Sequence, residues 1–187
     1  IEVDEGIEAA RDQALQLQAE GKGIVLNQFA NPDNSAAHYA TTGPELWRQT
    51  GGRITHFISS MGTTGNISGT GKYLKEQNPD IQVIGLQPDD ESSIAGIRRG
   101  PEEYKPEIYD PTVIDRTMDV SQHTAEVYMR KMARTEGILA GVSSGAAAWA
   151  AIQVAKEIKD TQPDAVIAFI VCDRGDRYLS TGLFTAE

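Results

Sequence analysis

The sequence predicts an α/β fold, three αβα layers around a mostly parallel sheet. Three observations lead there. First, "RITHFISS", a glycine-rich loop, "NISGTGKYLKEQ" and "IQVIGLQP" follow one another between Arg53 and Pro88. Strand, loop, helix and strand in that order are the unit of a right-handed parallel crossover. Second, "AVIAFIV" (Ala165–Val171) is a continuous, β-branched apolar run, short enough for a strand buried on both faces. Third, "ILAGVSSGAAAWAAIQVAKEIK" places a short apolar strand, a serine-glycine turn and an alanine-rich helix just before that run, which continues the alternation.

Each element has a local reason. Ile7, Ala10, Ala14 and Leu17 make one helical stripe, with Asp4 as its cap and Gly21 as its stop. "GIVLNQF" (Gly23–Phe29) reads as a strand. "ANPDNSAAHY" reads as loop at its start, because Asn-Pro interrupts a helix. The next helix is expected near Pro44, since proline suits a first turn. Pro88–Pro111 holds four prolines and no clean period, so it reads as a long loop of the functional kind. Ala125, Tyr128, Met129, Met132 and Ala133 stripe a later helix, capped by Ser121 or Thr124 and stopped by Gly137. Trp47 and Trp149 fall at helical core positions, and His56 on its strand reads as structural.

Bulk composition narrows the function. The chain has 187 residues, 17 basic and 27 acidic, for a net charge of -10. Such a surface repels nucleic acid and anionic membranes. It leaves room for an anionic ligand, because backbone N–H groups bind phosphate whatever the global charge. Cys172 is the single cysteine, which excludes an internal disulfide and fits the reducing cytoplasm. No apolar run reaches the ~20 residues of a membrane-spanning helix. His38, His56 and His123 are too scattered to suggest a metal centre.

The chemistry concentrates in "SSMGTTGNISGTGKYL" (Ser59–Leu74). It is not a nucleotide P-loop, because Tyr73 follows Lys72 where a metal-binding hydroxyl is needed. It is not a dinucleotide fingerprint, because Leu74 stands where the third glycine belongs. Two readings stand. One is a phosphate cup: Gly62 and Gly65 bring amides close to an anion, Thr63 and Thr64 add hydroxyls, and the following helix adds its N-terminal partial charge. The other is a plain turn joining strand to helix. Similar pairs of readings hold elsewhere. Ser143 suits an N-cap of the alanine-rich helix, Arg98 and Arg99 a solvated basic pair, and Cys172 an inert buried thiol.

Four stretches together carry a resemblance: "QFANPDNSAAHYATTGPELW", "SSMGTTGNISGTGKYL", "EGILAGVSSGAAAWAA" and "CDRGDRYLSTGLF". In order and spacing they are similar to the cysteine synthases (O-acetylserine sulfhydrylases), pyridoxal 5'-phosphate (PLP) enzymes of the tryptophan-synthase-β fold, fold type II. "GIRR" (Gly96–Arg99) and "CDRGDRYLST" (Cys172–Thr181) resemble the B-type branch, which accepts thiosulfate as well as sulfide. The resemblance implies that Gly62, Thr63, Thr64 and Gly65 cup the PLP phosphate, with Asn66 where the family usually has threonine. It implies Ser143 at the pyridine nitrogen and Cys172 near the ring, not as a nucleophile. It implies Gly96 at the active-site mouth, and Arg98 and Arg99 toward an anionic sulfur donor or a substrate carboxylate. Gly100 follows these arginines where the branch often has tryptophan.

What is missing is as informative. The family's Schiff-base lysine lies in an S-x-K-D-R setting, and none of the seven lysines here has it. The T-S-G-N loop that grips the substrate carboxylate is also absent. The resemblance therefore implies a truncated chain. Residues 1–29 would be a remnant of the smaller domain, and residues 30–187 the incomplete large, phosphate-binding domain. The parent enzyme is expected to be a homodimer converting O-acetylserine and sulfide or thiosulfate to cysteine or S-sulfocysteine and acetate. No catalytic residue is expected in this chain, and it is expected to be inactive alone. Cystathionine β-synthase, a phosphoserine-using sulfhydrylase and a non-catalytic phosphate-binding module are the rival readings.

Overall fold

The computed structural model describes residues 7–100 and 104–185. Four strands, β1 (Ile54–Ser60), β2 (Gln82–Pro88), β3 (Arg116–Val120) and β4 (Val166–Phe169), form one sheet in the order β3-β2-β1-β4. All three pairings are parallel. Six α-helices accompany them among the described residues: α1 (Ile7–Ala19), α2 (Pro32–Ala40), α3 (Thr42–Gln49), α4 (Gly65–Gln77), α5 (Gln122–Glu136) and α6 (Val142–Ile158).

Side-chain alternation along β1 builds the three layers. A register irregularity between Ile54 and His56 sets the phase. Phe57 then turns toward one face, where it is fully buried with Ile67 and Leu74 of α4 and Val83 of β2. Ile58 turns toward the other, against Met129 of α5 and Ala146 and Ala150 of α6. Burying a side chain of this size contributes about 1.5–3 kcal/mol, so these two clusters hold the sheet between its helices.

The strand order positions the site. From β1 the chain proceeds to β2 and β3 on one side, then returns to β4 on the other. The crossover helices accordingly pack on opposite faces, α4 on one and α5 and α6 on the other. They part at the carboxyl end of β1, which leaves a crevice where open parallel sheets bind ligands.

Several elements differ from the sequence reading. Residues 32–40 are helical, because Asn31 caps α2, its side chain accepting from the Asp33 amide, and Pro32 takes the first turn. Asn-Pro here starts a helix. The next helix begins at Thr42, two residues before Pro44. Gly23–Phe29 is not a strand, since nothing in the described chain offers it a ladder; Ile24 is 87% and Leu26 78% exposed. The short strand expected before the Ser-Ser-Gly turn is only an isolated antiparallel bridge between Ala140 and Arg174. The strand at Ala165–Val171 shrinks to Val166–Phe169 and is half-buried, because β4 lies at the edge of the sheet. β3 was not anticipated; its "RTMDV" is mostly solvated, as the opposite edge allows. The cap expected at Asp4 lies outside the described residues. Ser121 does cap α5, accepting from the Thr124 amide at 3.1 Å, and Gly137 ends it. The long loop after β2 is irregular over its described residues until a 3-10 turn at Pro111–Val113.

Candidate functional site

The site is built on the last two residues of β1. By alternation Ser59 faces α4 and Ser60 faces α6. Ser59 Oγ donates to Asn66 Oδ1 at 3.1 Å, and Ser60 Oγ donates to the Ser143 carbonyl at 3.2 Å. One strand end thus ties down the first turns of two helices on opposite faces of the sheet.

Between them lies the loop Gly62–Thr64. Thr64 adopts φ 67, a left-handed conformation rarely taken by a β-branched residue. Such a backbone costs of the order of 1–3 kcal/mol and persists where surrounding structure enforces it. Here Thr64 is buried and its hydroxyl donates to the Thr63 carbonyl at 2.6 Å. The turn opens a row of amides. Among the described residues, those of Gly62, Thr63, Thr64, Asn66 and Ile67 donate to no protein acceptor. The last two are orphan donors of the first turn of α4. Backbone N–H groups at a helix N-terminus, left without partners, are the donor set that a tetrahedral oxyanion needs.

Gly96 closes the crevice from the loop after β2. It has φ 88, and a Cβ there would stand 3.5 Å from Ser143 Oγ. A Cβ on Gly62 would in turn stand 3.1 Å from the Gly96 carbonyl. Gly62, Gly96 and Ser143 therefore converge, although 34 and 47 residues separate them in sequence. Ser143 is buried in the first turn of α6, whose N-cap is Gly141. It is not the N-cap of that helix, so its hydroxyl is not consumed by capping.

Cys172 completes this end. Its amide donates to Ser144 Oγ at 3.1 Å, and its thiol meets the Ser143 hydroxyl. Protein packed around the sulfur pushes the thiol pKa up, the Ser143 bond offsets this in part, and Asp173 adds to the rise. The residue as a whole is exposed, which corrects the buried-thiol reading, but a raised pKa argues against a nucleophile. The Tyr178 hydroxyl donates to Asp173 Oδ2 at 2.6 Å and is pushed up to about 12 by burial and that carboxylate. This contact and the bond from the Gly175 amide to the Leu139 carbonyl fasten the segment after β4 in place.

The remaining residues divide. The Arg98 amide donates to the Met61 carbonyl at 2.8 Å, and its guanidinium lies 5.3 Å from the Phe29 ring centroid. It lines a cavity of about 550 Å³ together with Gly62, Thr63 and Gly96. Arg99 lines the same cavity but pairs with Asp90 at 2.6 Å and Asp119 at 2.5 Å. Two carboxylates already answer the Arg99 charge. The Asn66 side chain is also committed, since its Oδ1 accepts from Ser59 and its Nδ2 donates to His38 Nδ1 at 3.3 Å. Asn66 offers the loop its backbone amide, while its side chain is held by Ser59 and His38. Asn34 was missed altogether: its Nδ2 donates to Thr63 Oγ1 at 3.1 Å from α2. No local pattern marks it, because the contact spans 29 residues. Among the described residues no group of three or more His, Cys, Asp or Glu could hold a metal, and no helix is long and apolar enough to cross a membrane.

His38 gives the site a pH signature. Its Nδ1 lies 2.9 Å from Thr42 Oγ1 as well as 3.3 Å from Asn66 Nδ2, and burial holds its pKa below the ordinary imidazole value. Burial, helped by the Arg116 charge, does the same to His56. A depressed native pKa means the unfolded chain takes the proton first. Stability from these rings is therefore full above about pH 6.5 and declines as pH falls below it. His38→Gln is expected to flatten part of that decline, read as the urea midpoint between pH 7.5 and about pH 5.

A family model described as pyridoxal-phosphate dependent enzyme matches residues 1–173. Cysteine synthase B of Pseudomonas aeruginosa is 56% identical over 184 residues, covering 98% of this chain and 60% of that protein. Cysteine synthase B of Escherichia coli is 54% identical, covering 98% and 59%. Among solved structures, a hydrogen sulfide-producing enzyme of Fusobacterium nucleatum superposes with a TM-score of 0.85 at 31% identity, covering 93% of this chain and 61% of that one. The O-acetylserine dependent cystathionine beta-synthase of Helicobacter pylori gives 0.82 at 35% identity, covering 96% and 60%. The chain thus spans about 60% of the length of the curated relatives it matches.

Proposed function

This chain belongs to the pyridoxal-phosphate-dependent enzymes, and on that premise we propose that it is the phosphate-binding part of a cysteine synthase. The observation that supports this reading is the set of partnerless amides at Gly62, Thr63, Thr64, Asn66 and Ile67, with Gly96 bridging from Gly62 to a buried serine hydroxyl. The donor set fits PLP at both ends. Amides of Thr63, Thr64, Asn66 and Ile67 would hold the phosphate, and Ser143 Oγ would meet the pyridine nitrogen. A neutral hydroxyl there does not force that nitrogen to stay protonated, as a carboxylate would. Bound PLP supplies the electron sink for elimination at the β-carbon of an amino acid. Gly96, lacking a side chain, lets the substrate approach above Ser143, and Arg98 draws an anionic sulfur donor or the substrate carboxylate toward the cavity mouth.

The substrates follow from the homology to cysteine synthase B. We assign O-acetylserine as acceptor and sulfide or thiosulfate as donor, with acetate as the leaving product. We assign the reacting amine to the part of the relatives' length beyond this chain's span. Lys105, which lines a cavity against Gly62 and Thr64, holds its ammonium over the Tyr109 ring at 4.9 Å, and no lysine here has the S-x-K-D-R setting. Residues 1–29 are assigned to a smaller domain and residues 30–187 to the phosphate-binding domain of a cytoplasmic homodimer.

A substrate panel tests this. The protein extended to its relatives' length is expected to change its visible cofactor absorbance on adding O-acetylserine, and to release cysteine on adding sulfide. Residues 1–187 alone are expected to release none. A response to O-phosphoserine in place of O-acetylserine, or to homocysteine in place of sulfide, would move the assignment to a sister activity. No response to any amino acid would refute it.

A further inference from the structure

Asn34 stands outside the loop, on a helix that the site reading does not otherwise use. Its Nδ2 donates both to the Gln28 carbonyl at 2.8 Å and to Thr63 Oγ1 at 3.1 Å. The Gly65 amide also points at Thr63 Oγ1, at 3.4 Å. A hydroxyl oxygen has two lone pairs and one proton. Both lone pairs of Thr63 are therefore engaged from the protein side. Its proton has no acceptor among the described residues and is turned away from these two donors.

We infer that Asn34 is a positioning residue for the anion cup: it fixes the Thr63 hydroxyl as a donor to the bound phosphate. The inference rests on the phosphate-cup reading above. The packing supports it as well as the hydrogen bonds. A Cβ at Gly65 would run into the Asn34 side-chain amide, so α2 and the first turn of α4 touch here with no space between them. Without Asn34 the Thr63 hydroxyl is free to rotate and spend its proton elsewhere. The bond to Gln28 adds a second consequence. It joins the cup to residues 28–29, and Phe29 lies under the Arg98 guanidinium, so the anion site and the cavity mouth share one anchor.

The test is PLP affinity of residues 1–187, followed by the cofactor's absorbance, with N34A, T63V and the N34A/T63V double variant. Wild type is expected to bind. N34A and T63V are each expected to bind about tenfold more weakly, the loss of one oriented donor. The double variant is expected to be no weaker than T63V, because Asn34 acts only through that hydroxyl. N34D, which keeps the outline against Gly65 and removes both donors, covers the case in which N34A does not fold, and should also lose at least tenfold. If N34A binds as wild type does, or weakens binding equally with and without the Thr63 hydroxyl, the positioning role is overturned and the cup stands. If wild type itself shows no PLP binding, the cup reading fails and this inference fails with it.

Discussion

Replacing Thr63 with aspartate is expected to lower PLP affinity by at least about 100-fold without lowering the unfolding midpoint. The two effects separate because the local structure tolerates the change. Thr63 is half-buried in the loop, and its oxygen serves Asn34 and Gly65 as an acceptor. A carboxylate accepts both bonds, and the N-terminus of α4 welcomes its charge by about 0.3–1 kcal/mol. That same charge occupies the place proposed for the phosphate. Two unit charges about 5 Å apart repel by about 3 kcal/mol at an effective dielectric near 20. Phosphate carries up to two charges, and each 1.4 kcal/mol is about tenfold. Titration with PLP alongside urea denaturation checks both halves. Equal affinity in Thr63→Asp and wild type would place the anion elsewhere.

The largest expected effect on folding lies at Gly145. A Cβ there would collide with the Ala125 carbonyl and with the Met129 amide and Cα, all backbone atoms of α5. The α5–α6 crossing is close because this position has no side chain. A flexible neighbour could swing aside, but a helix backbone cannot move without displacing Ala125 and Met129, both fully buried. Gly145→Ala is expected to cost about 1–3 kcal/mol as an overpacked core position. Gly145→Val is expected to exceed about 3 kcal/mol, a large share of a typical total stability of 5–15 kcal/mol. Gly23→Ala, with nothing within 4 Å of its Cβ, serves as the control and should stay within about 0.5 kcal/mol. Equilibrium urea unfolding of the three variants decides the matter.

The crossover from β1 through α4 to β2 could be read from the sequence because its signals are local. Two short strand-like stretches, a glycine turn and a helical stretch all fall within Arg53–Pro88. Elements defined by their neighbours were harder. Gly23–Phe29 has a strand's composition, but composition cannot provide a partner strand. "AVIAFIV" suggested burial on both faces, and its position at the sheet edge is a property of strand order, not of that run. β3 is too solvated to show an apolar pattern. The helix at Pro32 was misread because Asn-Pro has two meanings, break or start, and only the Asn31 cap to Asp33 decides between them. In the site, Gly62–Gly65 announced itself through glycine and threonine. The redirection of the Asn66 side chain to Ser59 and His38, and the reach of Asn34 from α2, depend on how α2 and α4 cross. The nearness of Ser143 to Gly96 depends on the strand order. Neither relation lies within any short window of residues.

A crystal structure of residues 1–187 soaked with PLP tests the central claim most directly. It should show phosphate oxygens within hydrogen-bonding distance of the amides of Thr63, Thr64, Asn66 and Ile67, and the pyridine nitrogen beside Ser143 Oγ. A phosphate seated instead on Arg98 and Arg99, or a ring turned away from Ser143 at full occupancy, would contradict it.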